Sequence, residues 1–148
     1  MLNREQLAIN LIKQCEGCKL KAYPDSGMVS TIGYGTTIYP NGQKVKIGDI
    51  CTQKDAESYL EYFLKKNIFP VVDKICKNKP IPDKVYAALS SLGYNCGSAL
   101  SGTSIINAIN HQNWNELALG FRKYVEIDGK FSTGLKNRRE IEIKFFLL

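Results

Sequence analysis

From Thr52 onward the apolar residues change their period. Ala56, Tyr59, Leu60, Phe63 and Leu64 share one face of a helix that Thr52 can cap, whereas Leu20–Tyr23 and Val29–Tyr34 read as short strands. The turn-forming "PDSG" joins those strands, and "NG" at Asn41 and Gly42 is the strongest hairpin signal in the chain. A helix precedes them: Asn3 caps it, Gln6 completes a capping box, Ala8, Leu11, Ile12 and Cys15 recur at helical spacing, and Gly17 stops it. After Thr52 the chain reads as helical throughout. Pro70, "KPIPD", Gly93 and "SGTS" punctuate it, and Asn113 with Glu116, and Ser132, mark the starts of the last two helices. The layout is α+β: one domain over residues 1–148, with a small antiparallel β lobe at about 17–50, a larger helical lobe and a cleft between them.

A chain of 148 residues can bury roughly 68–70% of its unfolded surface, so its core needs no metal or disulfide staple. The five cysteines, Cys15, Cys18, Cys51, Cys76 and Cys96, cannot all pair within one monomer; they read as reduced, small buried hydrophobes. The amino terminus lacks the apolar core of a secretory signal and no window reaches membrane-span length, so a cytosolic protein without stable membrane insertion is expected. A monomer is the default for a short chain with no coiled-coil pattern. The formal charge of +6 favours an anionic partner: nucleic acid, a membrane surface or an acidic wall polymer. The scattered basic residues lack any nucleic-acid-binding signature, which argues against the first.

The chemistry narrows by elimination. His111 is the only histidine and sits in the polar "NHQN", reading as a surface residue, so histidine-dependent zinc or nucleophile sites are poorly supplied. "CEGC" is a lone CxxC, and "GYG" lacks the rest of a phosphate-binding loop. What remains is carboxylate chemistry. Glycoside hydrolysis needs one carboxylic acid to protonate the leaving oxygen and one carboxylate to act on water or the sugar. Glu16 ends the first helix and Asp25 lies in a polar turn, two environments that differ in the way such a pair requires. Equally, Glu16 can be a last-turn surface residue, Asp25 a turn former after Pro24, and Thr31 a strand residue chosen for β-propensity.

The whole stretch "IKQCEGCKLKAYPDSGMVSTIGYG" resembles the signature of the phage-type lysozymes, the endolysins of glycoside hydrolase family 24. In that family a Glu, eight residues, an Asp or Cys, five residues and a Thr form the catalytic triad, and here those positions hold Glu16, Asp25 and Thr31. Two more segments stand in the family's order: "SLGYNCGSALSGTSIINAIN" is similar to its "S-F-x-F-N-x-G" helix with the succeeding "S-T-L-L" segment, and "GKFSTGLKNRREIE" to its "G-L-x-x-R-R-x-x-E" terminus. The resemblance covers nearly the full chain.

It implies a lysozyme-like fold and a cofactor-free muramidase cleaving the β-1,4 bond between N-acetylmuramic acid and N-acetylglucosamine of bacterial peptidoglycan. It assigns Glu16 as general acid, Asp25 as the group positioning and activating water, Thr31 as a second hold on that water, and Arg138 as the arginine reaching back to the glutamate. Inversion at the anomeric carbon is implied. Tyr34, Asn95, Thr103 and Ser104 fall in matching segments as substrate-binding candidates, although Tyr34 can pack in the sheet, Asn95 can cap and Thr103 can start a helix. Trp114 reads as core. In a phage setting the enzyme would wait in the host cytoplasm until a separate holin-like protein releases it. A lytic transglycosylase and a non-catalytic cationic wall-binding protein are the alternatives. One departure stands out: Thr36 occupies the place of the usual histidine in "TIGYGHT". A Cys15–Cys18 disulfide would be an unusual latch, one helical turn apart.

Overall fold

The computed structural model describes residues 1–77 and 79–148. The chain begins with α1 (Arg4–Glu16), followed by β1 (Lys19–Pro24) and β2 (Ser30–Gly33), paired antiparallel with Tyr23 opposite Thr31. A bulge between Lys19 and Tyr23 shifts the register, and isolated bridges (Lys21 with Ile50, Ile38 with Lys44) extend the small lobe. Helices α2 (Gln53–Phe63), α3 (Phe69–Cys76), α4 (Asp83–Asn95), α5 (Thr103–His111), α6 (Trp114–Phe121) and α7 (Thr133–Leu147) form the larger lobe, and a hairpin of β3 (Glu126–Ile127) and β4 (Lys130–Phe131) precedes α7. This is the α+β layout expected from the change of period.

The expected caps set the boundaries. Asn3 and Gln6 exchange hydrogen bonds of 2.9 and 3.1 Å across the first turn of α1, Thr52 and Asp55 do the same for α2, and Asn113 and Ser132 accept from Glu116 N and Leu135 N. Gly17, at φ 67°, ends α1 in a conformation costly for other residues, which fixes where Glu16 stops.

Helix α4 is the hub. Every residue from Val85 to Gly93 is buried, and the helix packs against α1, α3 and α7. It is apolar all round because it has neighbours all round. Ser90, buried within it, donates to the Tyr86 carbonyl at 2.9 Å, so it brings no unpaired hydroxyl into the core.

Three expectations need correction. The region after Thr52 is not wholly helical: "IDGK" makes a two-residue hairpin turn with Asp128 and Gly129 both at positive φ, the "DG" signal of a tight hairpin. Pro70 does not interrupt the chain of helices, since it occupies the second position of α3, where no helical N–H is needed. A π-turn at Leu64–Ile68 carries α2 directly into α3. Of the cysteines, only Cys76 is fully buried, and burial pushes its thiol up to about 11; Cys15, Cys18, Cys51 and Cys96 are half-buried, and all five are free thiols. The "NG" turn forms, but its flanks pair only through the Ile38–Lys44 bridge. The "KPIPD" break falls between α3 and α4 as expected, with Asn78 outside the described residues.

The lobes meet at Gly33, where an added Cβ would lie 3.1 Å from Ala56 Cβ on α2, and φ is 65°. Gly33→Ala therefore combines backbone strain with a steric clash. It is expected to cost about 2 kcal/mol and to lower Tm by roughly 4–8 °C, measured by thermal unfolding followed by circular dichroism.

Candidate active site

Between the lobes lies a cleft of about 450 Å³, lined by Glu16 from α1, Asp25 and Thr31 from the first hairpin, Thr36 and Ile38 beyond it, and Tyr94 and Asn95 from the end of α4. Its wall also takes in Tyr23, Ser26, Gly35, Thr37 and Phe63. Glu16, Asp25, Thr31 and Asn95, all singled out in the sequence, thus converge on one cavity.

Each of the three central side chains is held by local structure. Asp25 turns its Oδ1 back onto the hairpin, accepting from Gly27 N at 2.8 Å and Val29 N at 2.9 Å. This Asx arrangement is the reason an aspartate follows Pro24, and it fixes the carboxylate plane. Thr31 is buried, and its hydroxyl donates to the Val29 carbonyl at 2.9 Å. With its proton committed there, Thr31 Oγ1 meets the cleft as an acceptor.

Glu16 is held from behind. Arg138 Nη1 of α7 donates to Glu16 Oε2, with the two side chains 9% and 20% exposed. Burial alone would pull the Arg138 pKa down; Glu16 and Glu142 beside it more than reverse this and hold it above the ordinary arginine value. Arg138 also reaches Ser91 Oγ at 3.2 Å and Glu142 Oε2 at 3.4 Å. Glu142 and Arg139 are fully buried, joined by bonds of 2.6 and 3.2 Å, and Ser91 Oγ donates to Glu142 Oε2 at 2.5 Å. Arg139 Nη2 then donates to Asn95 Oδ1 at 2.8 Å, back at the cleft wall. Two guanidiniums and two carboxylates balance, which is the condition for keeping such groups out of water.

The floor of the cleft is the turn "TIGYGT". Ile32 and Thr36 exchange both backbone hydrogen bonds at 2.8 Å. At Gly35, φ is 93° and an added Cβ would come within 3.3 Å of Glu16 Oε1 and 3.2 Å of Tyr94 Oη. Tyr94 Oη in turn donates to the Tyr34 carbonyl at 2.6 Å, joining α4 to this turn. Burial, with the charge of Glu16 nearby, pushes the Tyr94 phenol upward, so it remains a donor.

Tyr34, Thr103 and Ser104, expected to contact substrate, do not line this cleft. The Tyr34 ring is buried and its hydroxyl accepts from Gln53 Nε2 at 2.5 Å. Thr103 is the first residue of α5, and Ser104 Oγ accepts from Lys123 Nζ at 2.6 Å. Tyr34 and Thr103 thus adopt their structural alternatives. Thr36, in the usual histidine's place, is buried in the tight turn, while His111 is exposed beside Glu116 and Trp114 is half-buried against the core. The sequence reading missed Tyr94 and the Arg139–Glu142 pair. The i, i+3 and i, i+4 spacing of Arg139 and Arg138 to Glu142 was the available signal for the second.

A helix-terminal glutamate facing a hairpin aspartate and threonine across an interlobe cleft is the architecture of the lysozyme-like fold. Residues 13–142 match the family described as phage lysozyme, and the chain belongs to that family. It is 33% identical to the endolysin of Salmonella phage P22 over 99% of each chain. It is 33% identical to that of Bacillus phage B103 and 32% to that of Lactococcus phage c2, covering 99% and 95% of this chain but 54% and 58% of theirs. The chain thus spans little more than half the length of those two relatives. Among solved structures, the endolysin of Escherichia coli O157:H7 phage FAHEc1 superposes with a TM-score of 0.88 at 35% identity, covering 96% of this chain and 91% of that one. A P22 lysozyme mutant gives 0.82 at 28% identity over the whole of both chains.

Glu142→Leu would leave the buried Arg139 with no carboxylate and Arg138 with Glu16 alone. A loss of about 3–5 kcal/mol is expected in urea unfolding, with part of it recovered when Arg139→Met is added.

Proposed function

We propose that this chain is a muramidase that hydrolyses the β-1,4 bond between N-acetylmuramic acid and N-acetylglucosamine in bacterial peptidoglycan, acting as an endolysin in host lysis. The observation that carries this reading is the convergence of Glu16, Asp25 and Thr31 on one cleft, with the Thr31 proton already spent on Val29.

The roles derive from the bonding. Glu16 Oε2 is occupied by Arg138, so Oε1 is the oxygen that delivers a proton to the glycosidic oxygen. Asp25 Oδ1 is occupied by two backbone N–H groups, which leaves Oδ2 to draw a proton from water. Thr31 accepts the other hydrogen of the same water, and the water's lone pair is thereby turned toward the anomeric carbon. The new C–O bond forms as the old one breaks: one proton passes from Glu16 to the leaving sugar, and one from water to Asp25. Attack from the face opposite the leaving oxygen inverts the anomeric centre. Asn95 and Tyr94 help to shape the sugar-binding wall.

Digestion of purified peptidoglycan with mass analysis of the fragments tests this directly. Wild type should release reducing muramic ends, and Glu16→Gln should cut at least ~100-fold more slowly. Anhydro ends would make the protein a transglycosylase, and equal cutting by Glu16→Gln would remove Glu16 from the chemistry. No fragments from wild type would leave a wall-binding role.

Thr31→Val separates water positioning from binding. It is expected to lower kcat roughly 10- to 100-fold with KM little changed, read from steady-state kinetics.

A further inference from the structure

Outside the catalytic cleft, on the small lobe, lies a groove of about 630 Å³ built by Tyr39, Asn41, Gln43, Lys44, Lys46 and Tyr59. The two cavities are lined by successive parts of one short segment: Thr37 and Ile38 line the cleft, while Tyr39 and Pro40 line the groove. The Ile38–Lys44 bridge holds the segment in place.

The groove has binding chemistry and no catalytic chemistry. Its one carboxylate, Asp49, is tied up: Oδ2 accepts from Tyr39 Oη at 2.7 Å and from Lys46 N at 2.9 Å. The Tyr39 and Tyr59 rings meet edge to face at 5.2 Å, a stiff apolar pair with little conformational freedom to lose. Asn41 Oδ1 accepts from Gln43 N at 2.9 Å, which fixes the amide at the groove's rim. Lys44 and Lys46 are exposed, and neither belongs to an ion pair among the described residues. Rings suit the C–H faces of sugars, amides suit acetamido and hydroxyl groups, and free ammonium groups suit carboxylates.

We propose that this groove is a second, non-catalytic site for peptidoglycan, holding an acidic amino-sugar strand next to the one in the cleft. The proposal rests on the muramidase reading for its choice of polymer. A cross-linked wall offers many neighbouring strands, so a weak second contact raises the local concentration of the cleft without changing its chemistry. Glycans too short to occupy both sites gain nothing from it.

The test separates the two sites. In a Glu16→Gln background, which binds without cutting, Lys44→Glu with Lys46→Glu is expected to weaken co-sedimentation with purified sacculi roughly tenfold. A charge-matched control, Lys74→Glu with Lys130→Glu, both exposed and outside the groove's lining, should fall much less. With Glu16 intact, the Lys44/Lys46 variant should cut sacculi more slowly yet cleave short soluble peptidoglycan fragments at about the wild-type rate. Tyr59→Leu, checked for folding by its Tm, should repeat the pattern without a change of charge. Equal losses in both charge variants would reduce the effect to net charge and overturn the proposal, as would unchanged sacculus binding. Slower cleavage of short fragments would make the groove part of the cleft and overturn it too. Failure of the muramidase reading would show instead as an inactive wild type, while sedimentation still reports the groove.

Discussion

The ion pair between Glu16 and Arg138 joins residues that lie at opposite ends of the sequence, and much of the structure is arranged around it. Arg138 cannot be buried alone, so Glu142 lies behind it; Glu142 has two oxygens to satisfy, so Arg139 and Ser91 complete its shell. Each partner comes from a helix that packs on α4 or from α4 itself, so the charge network and the apolar core demand the same arrangement of helices. A hydrophobic substitute for the network could match its stability but would not hold a carboxyl group at the cleft in a fixed orientation. The cost of burying four charges is offset by the placement of one of them.

The small lobe solves a different problem, that of bringing backbone close to the Glu16 carboxyl group. Gly33 lets the turn rest against Ala56, and Gly35 leaves room for Glu16 Oε1 and the Tyr94 hydroxyl. Asp25 and Thr31 are oriented by the hairpin that carries them, through hydrogen bonds to backbone atoms two to four residues away. Their geometry is therefore local, whereas that of Glu16 depends on a residue 122 positions distant.

That contrast explains what could be read from the sequence. Caps at Asn3, Thr52, Asn113 and Ser132 and the stop at Gly17 are short-range chemistry, and the structure has them where the residue types place them. Glu16, Asp25 and Thr31 were legible because a spaced signature spans one helix end and one hairpin. The side chains of Tyr34, Thr103 and Ser104 lie outside the cleft because position within a matching segment says nothing of which way a side chain turns; the Tyr34 carbonyl accepts from Tyr94 at the cleft while its ring enters the core. The continuity of α2 with α3 was hidden because proline reads as a break, although at a second helical position it is not one. The β3–β4 hairpin was missed for want of length: two residues per strand leave no alternation to detect.

The π-turn at Leu64–Ile68 has a consequence for how the cleft can change. One extra residue in a helical turn advances everything beyond it by about 100° around the axis. Phe63, just before this turn, lines the cleft edge to face with Tyr94 at 5.5 Å, while Leu64 and Ile68 sit in the core. The continuous α2–α3 rod thus works as a phase adjuster: its winding turns Phe63 toward the cleft and Leu64 and Ile68 toward the interior. A single insertion or deletion there would reset how Phe63, on one side of the turn, is phased against the core face of α3 on the other, and would leave the side chains of Glu16, Asp25 and Thr31 untouched.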